Sequence, residues 1–295
     1  MKLQVLHRTH YAYAAPVHDS FNETRLQPPD SGSQQRLSFI LKVLPSTRLS
    51  HYYDFYQNCV HRFELAPPHS ELTIEATSVV LTGRPAVPAP DARPAPLASL
   101  ASSQELDACY DFLQDSTYVV VNPYAWKIAL DVVGPETDAW QAARRIMHFI
   151  NSGFRYQPAS THVHTTMQEV LQLRAGVCQD FAHVMLGLCR CVRMPTRYVS
   201  GYLYNGPAER LKGAQATHAW VEVYIPGHGW IGLDPTNDQP VNDHYVKIAV
   251  GRDYADVPPV KGTYRGTVER RLTVDVLVSL LDESATPSVP LKSAS

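Results

Sequence analysis

The chain has 295 residues, 44% of them hydrophobic and 18% charged, which is enough to bury the core of one large domain or two ordinary ones and argues against disorder. Its 26 basic residues stand against 28 acidic ones, for a net charge of −2 with no long block of one sign. Nucleic acid and anionic membrane surfaces are therefore poor partners, since both select a basic face. No apolar run approaches the roughly 20 residues that a membrane-spanning helix needs.

The opening Met1-Lys2-Leu3-Gln4-Val5-Leu6-His7-Arg8 turns polar too early for the apolar core of a signal peptide,. The five cysteines, at 59, 109, 178, 189 and 191, are odd in number and irregularly spaced, unlike a secreted disulfide framework,. Both features suit a cytoplasmic protein. Cys189 and Cys191 are two apart in a helical stretch and cannot face each other, so they read as buried structural thiols.

Residues 1–84 read as a β-rich N-terminal domain of sandwich type. Alternation is clear in Leu37 to Val43 and in Leu72 to Val79, and turn-prone breaks fall at Pro28-Pro29-Asp30-Ser31-Gly32 and Pro67-Pro68,. Tyr52 to Tyr56 and Val60 to Leu65, around Gln57-Asn58-Cys59, predict a hairpin. Residues 85–98, dense in proline and alanine, predict a linker. A second unit, residues 99–262, opens with helices. Ser102 and Glu105 have capping-box spacing before Leu106, Cys109, Tyr110 and Leu113; Asp138 precedes a helix that Asn151-Ser152-Gly153 would stop; Thr166 and Glu169 repeat the capping-box spacing,. Strands follow from Thr196 to the Asp234 region. Residues 267–281 alternate again and are expected to rejoin the N-terminal sheet, and 284–295 have the composition of a disordered end.

Chemistry concentrates in three places. Cys178 follows Gly176-Val177 and begins a series, Phe181, Val184, Met185, Leu188 and Val192, of helical period that Pro195 ends,. In the first turn of a helix, unpaired N–H groups and the macrodipole favour a thiolate, and the same N–H groups can hold an oxyanion. His218 begins an alternating strand in which His218, Trp220, Glu222 and Tyr224 point one way, expected to be a cleft or solvent, and Ala219, Val221, Val223 and Ile225 face the core. Pairing Tyr224 with Trp230 across Pro226-Gly227-His228-Gly229 sets Val223 beside Ile231 and Val221 beside Leu233. That register brings Asp234 diagonal to His218, within carboxylate–imidazole reach. A thiol, an imidazole and a carboxylate in this arrangement suit covalent acyl chemistry.

The runs Gly176 to His183, Met194 to Tyr202, His218 to Val223 and Asp234 to Asn237 resemble the bacterial transglutaminase-like proteins of the papain-like thiol superfamily. The first 85 residues resemble the N-terminal region that accompanies this core in bacteria. The resemblance implies an α+β fold: a papain-like transglutaminase core, with a helix bundle packed on an antiparallel sheet, preceded by an all-β sandwich-like domain. It implies Cys178 as nucleophile, His218 as base and Asp234 as its orienter, working through a thioester on a peptide or glutamine-type carbonyl and passing the acyl group to water, as a protease or amidase, or to an amine. The Cys178 backbone N–H and the Tyr156 side chain are the oxyanion candidates; Gln179 and Trp220 belong to the site region, with Trp220 as a cleft wall. Neither a cofactor nor a metal is expected, because no acidic loop resembles a calcium site.

Two other readings stay open on the residues. One is a catalytically silent binding or scaffold protein on the same fold. The other is a metal site built from His162-Val163-His164 with His183 or Cys178, which lacks a second pair at ligand spacing. Asp180 suits the dipole of the cysteine helix, while His183, about 140° round that helix from Cys178, reads as structural.

Overall fold

A computed structural model describes residues 1–89, 93–101, 104–206 and 217–281. Ser102, part of the proline-rich segment and the tail beyond residue 281 lie outside them. The N-terminal alternation becomes five strands: β1 (Lys2–Thr24), β2 (Gln34–Leu44), β3 (Ser50–Tyr53), β4 (Cys59–Leu65) and β5 (His69–Thr82). β1 is bent, with register breaks after Ala12 and His18 and a φ of 50° at Asp19. The bend lets one strand serve two sheets. Its first half pairs with β5, which carries β2, and its second half pairs with β4, which carries β3. Tyr13, Val17, Leu26, Phe63, Leu72 and Ile74 pack into one apolar cluster, as a sandwich requires,. Pairing in the hairpin stops at Tyr53, short of Tyr56, because Asp54 Oδ1 accepts the N–H groups of Tyr56 at 3.0 Å and Asn58 at 2.9 Å and turns the chain.

Residues Gln104–Leu113 form a 3₁₀-helix, not the α-helix expected there. Among its described side chains, Cys109 and Phe112, three apart, are buried, at 3% and 7% exposure; a spacing of three per turn is the 3₁₀ period. The next helix, α1 (Pro123–Val133), has a start signal in Asn122-Pro123: Asn122 Oδ1 accepts the Ala125 N–H at 2.8 Å, and proline fills the first helical position,. α2 (Ala139–Gly153) is capped by Asp138, whose Oδ1 accepts from Gln141 N at 2.9 Å. Short β6 (Arg155–Tyr156) precedes α3 (Met167–Leu173), which carries the Thr166–Glu169 capping box. Then come β7 (Ala175–Gly176), parallel to β6, and α4 (Cys178–Cys191).

Five antiparallel strands complete this half: β8 (Thr196–Leu203), β9 (His218–Ile225), β10 (Gly229–Asp234), β11 (Gln239–Pro240) and β12 (Tyr245–Gly251), in the order β11-β10-β9-β8-β12. α4 lies between the other three helices and the β8–β9 face. Phe181, Val184, Met185, Leu186 and Leu188 all have 0% exposure. A helix enclosed in this way is anchored by burial, at roughly 1.5–3 kcal/mol for each large side chain. Its first residue, Cys178, therefore has a fixed origin.

The chain returns to the sandwich earlier than residue 267. β13 (Val260–Arg265) already pairs with the second half of β1, and β14 (Arg270–Leu280) pairs with the first half. β13 is mostly exposed and holds Gly262, where a Cβ would stand 2.3 Å from Asn22 Oδ1. It thus carries no alternating apolar signal. Among the described residues no helix is long and apolar enough to cross a membrane.

Candidate active site

Cys178 is the first residue of α4, and Val177 precedes it in extended conformation. The opening N–H groups of a helix have no intrahelical acceptor, so they are available at the thiol. Asp180 is tied to the turn instead: its Oδ2 accepts Val177 N at 2.7 Å and Thr161 Oγ1 at 2.6 Å. Burial pushes its carboxyl up, and those two donors oppose the shift. Gly176 is required here because a Cβ would lie 2.6 Å from Asp180 Oδ2. Cys178 is half-buried, the other four cysteines are buried, and none of the five forms a disulfide.

The β9–β10 register pairs Tyr224 with Trp230, Val223 with Ile231 and Val221 with Leu233. It brings His218 Nε2 to 2.8 Å from Asp234 Oδ2. The His218 face of β9 is not open, however. His218 and Trp220 are 2% and 1% exposed, because Trp220 packs with Val199, Leu203, Tyr245 and Val250 on that side. Trp220 is therefore a floor beneath the imidazole, with ring centroids 6.2 Å apart, and not a cleft wall. The assumption that one face of an antiparallel strand meets water failed because side chains of β8 and β12, with Tyr56 and Val241 at their margin, pack around Trp220 on this one,.

Asp234 is fully enclosed and fully satisfied. Oδ1 accepts Thr236 N at 2.8 Å and Asn237 N at 3.3 Å; Oδ2 accepts His218, Asn237 Nδ2 at 2.7 Å and Tyr245 OH at 2.7 Å. Burial would raise this carboxyl, but His218, Asn237 and Tyr245 together hold it below its ordinary value. For His218, burial alone would lower the pKa. The Asp234 charge and hydrogen bond, with Cys178 as the other neighbour, outweigh it and carry the imidazole to about 10. Its Nδ1 is buried without a formed hydrogen bond.

Tyr156 pairs with Gly176, two residues before the thiol. Burial first, then the charges of Cys178, Asp180 and Asp234, push its phenol up to about 12, so it stays a hydrogen-bond donor. Gln179 turns away, donating through Nε2 to Val163 O at 3.1 Å. His183 is buried between Tyr118 and Tyr198, with Nε2 accepting from Tyr254 N at 3.3 Å. Burial, and then Arg190, lower it to about 3. His162 and His164 sit in the loop before α3, where His164 Nδ1 meets Tyr118 OH at 3.0 Å; His183 is turned from them toward Tyr254.

Sequence reasoning missed Tyr245, and assigned no role to Asn237. The Asp234-Pro235-Thr236-Asn237 run did carry a signal for Asn237, since an aspartate before such a turn folds back on the N–H groups that follow. Nothing in the spacing marks Tyr245.

A second buried ion group braces the sheet. Glu222 accepts from Arg197 Nε at 2.7 Å and from Lys247 Nζ at 2.7 Å. Burial would raise its carboxyl, but Lys247 and Arg197 bring it to about 2. A depressed carboxyl contributes stability above its unfolded value of about 4.3, lost as pH falls through about 2,. Glu222→Gln should therefore destabilise the fold at pH 7 by about 3 kcal/mol, leaving two cations short of a partner. It should also flatten the acid limb of the stability curve, which urea titrations from neutral to acid pH would read.

Residues 127–235 match the transglutaminase-like superfamily, and residues 3–81 match the bacterial transglutaminase-like N-terminal region. An uncharacterised protein of Mycobacterium leprae is 34% identical over 286 residues, covering 95% of this chain and 99% of its own. One from Mycobacterium tuberculosis is 36% identical over 299 residues, covering 95% and 92%. A protein-glutamine gamma-glutamyltransferase of Pseudomonas aeruginosa is 31% identical over 100 residues, which are 32% of this chain and 15% of that one. In fold, the chain is similar to a candidate cysteine protease from Cytophaga hutchinsonii, with a TM-score of 0.75 and 24% identity over 97% of this chain and 93% of the other. On these matches and on this architecture, the chain belongs to the transglutaminase-like superfamily.

Proposed function

We propose that the protein is a cysteine-dependent acyl-transfer enzyme acting on a peptide or glutamine-type amide carbonyl. Cys178 is the nucleophile, His218 the general base and acid, and Asp234 the group that orients the imidazole. One observation supports this most: a half-buried thiol on a helix N-terminus neighbours a buried imidazole whose Nε2 lies 2.8 Å from a fully satisfied carboxylate.

In the first step, Sγ of Cys178 bonds to the carbonyl carbon while its proton resides on His218. Charge on the carbonyl oxygen develops beside the Cys178 N–H and the Tyr156 phenol. Collapse breaks the C–N bond, and His218 gives its proton to the leaving nitrogen. Water or an amine then attacks the thioester, His218 takes the attacking group's proton, and the C–S bond breaks to restore the thiol. Water needs no second binding surface, so hydrolysis is the favoured outcome. The name of the Pseudomonas aeruginosa relative supports an amide donor.

The test is iodoacetamide labelling across about pH 5 to 9 with peptide mapping, on the parent and on His218→Ala, with the fold monitored by circular dichroism. Selectivity alone proves little, because the other four thiols are buried. The informative result is labelling of Cys178 well below the ordinary thiol range, weakened without His218. Slow labelling that ignores His218 would return the protein to the scaffold reading.

A further inference from the structure

Asp234 Oδ2 receives three donors, and two of them, His218 Nε2 and Asn237 Nδ2, lie on β9 and in the turn just after β10. The third comes from elsewhere. Tyr245 opens β12, which lies on the far side of β8 from β9, and its hydroxyl donates at 2.7 Å. Gln239 Nε2 donates to that same phenol oxygen at 2.9 Å, so the phenol's own proton is committed to the carboxylate. The Tyr245 ring also meets Trp220 edge-on, with centroids 5.3 Å apart, and stands 6.0 Å from His218.

β12 is an edge strand with β8 on one side. Three polar side chains of the N-terminal sandwich hold its backbone and the turn that leads into it. Gln34 donates to Lys247 O at 2.9 Å and accepts from Lys247 N at 2.8 Å; Asn58 donates to Val250 O and accepts from Val250 N, both at 2.8 Å. Thr82 Oγ1 donates to Asp243 O at 2.5 Å, two residues before Tyr245. Each amide offers one donor and one acceptor to a single residue, as a neighbouring strand would. Gln34, Asn58 and Thr82 are 6%, 4% and 4% exposed, so water does not compete for these contacts.

We propose that Tyr245 is a positioning residue for the His218–Asp234 pair, and that the N-terminal sandwich sets its place through Gln34, Asn58 and Thr82 on β12. The proposal rests on the acyl-transfer reading above. It gives the sandwich a part in the chemistry without any contact with substrate: the sandwich fixes the strand, the strand carries the phenol, and the phenol holds the carboxylate that aims the imidazole.

The experiment compares the pH dependence of Cys178 labelling in the parent, Tyr245→Phe, Asn58→Ala and the double variant, each shown to melt cooperatively. If Asn58→Ala does not, Gln34→Ala takes its place. Tyr245→Phe should move the half-maximal pH upward and cut the rate near pH 6 by about three- to tenfold, as a loosened imidazolium stabilises the thiolate less. Asn58→Ala should shift it the same way by less. The double variant should shift no further than Tyr245→Phe, because both act through one phenol.

An unchanged or downward shift in Tyr245→Phe would overturn the positioning role. Downward movement is what simple loss of a donor predicts, since it leaves the carboxylate more negative toward His218. Additive shifts in the double variant would overturn the route through Asn58. A parent whose labelling ignores His218 would instead remove the acyl-transfer reading, and this proposal with it.

Discussion

Cys178→Ala is expected to lower turnover of an amide or activated-ester acyl donor by about 10⁴-fold or more, with little change in folding stability. The side chain lies half-buried at the first position of α4, so its removal opens no large cavity. What is lost, on the proposed acyl-transfer reading, is the atom that would form the C–S bond. Cys178→Ser should recover little, because a hydroxyl yields its proton to an imidazole far less readily than a thiol does. A progress curve with a chromogenic ester, run beside a thermal melt, checks both halves. Activity within tenfold of the parent would place the nucleophile elsewhere.

Asp234→Asn should cost about 10³- to 10⁴-fold in turnover, because the amide no longer dictates the tautomer of His218. Unlike the cysteine change, it should also destabilise the fold. The Oδ2 position faces donors from His218, Asn237 and Tyr245, and an amide NH₂ placed there would turn donor against donor, at about 1–3 kcal/mol. The pH response carries a second signature. His218 is raised to about 10 in the folded protein, so its contribution is fully present below the unfolded value of about 6.5 and is lost as pH rises through about 10. In Asp234→Asn this alkaline loss should shrink. Urea titrations at neutral and alkaline pH would read the difference, and equal slopes in parent and variant would contradict the assigned ion pair.

Much of the site was legible because it depends on local periodicity. The helical spacing after Cys178 and the Gly176 entry located the first turn of α4, and the apolar match of Val221 with Leu233 and Val223 with Ile231 fixed a register that brings Asp234 to His218. Capping signals at Asp138 and Thr166 marked two helix starts for the same reason: each concerns atoms three residues apart. Where reasoning failed, the deciding contact was remote. Trp220 reads as one side of a half-exposed strand until Tyr245 and Val250 of β12 pack against it, and Tyr245 reads as the start of a strand until β12 is folded next to β8.

The amino-acid sequence by itself determined on which elements Cys178, His218 and Asp234 sit and how β9 and β10 pair, because those follow from 3.6- and 2-residue periods and from turn and cap chemistry. Only the tertiary structure decided how deep the imidazole–carboxylate pair lies, which donors surround Asp234, and that side chains from the N-terminal sandwich grip β12. Gln34 and Lys247 are 213 positions apart, and Asn58 and Val250 are 192 apart. No local pattern encodes contacts at that range; they exist only once two sheets, each folded on its own signals, are packed against each other.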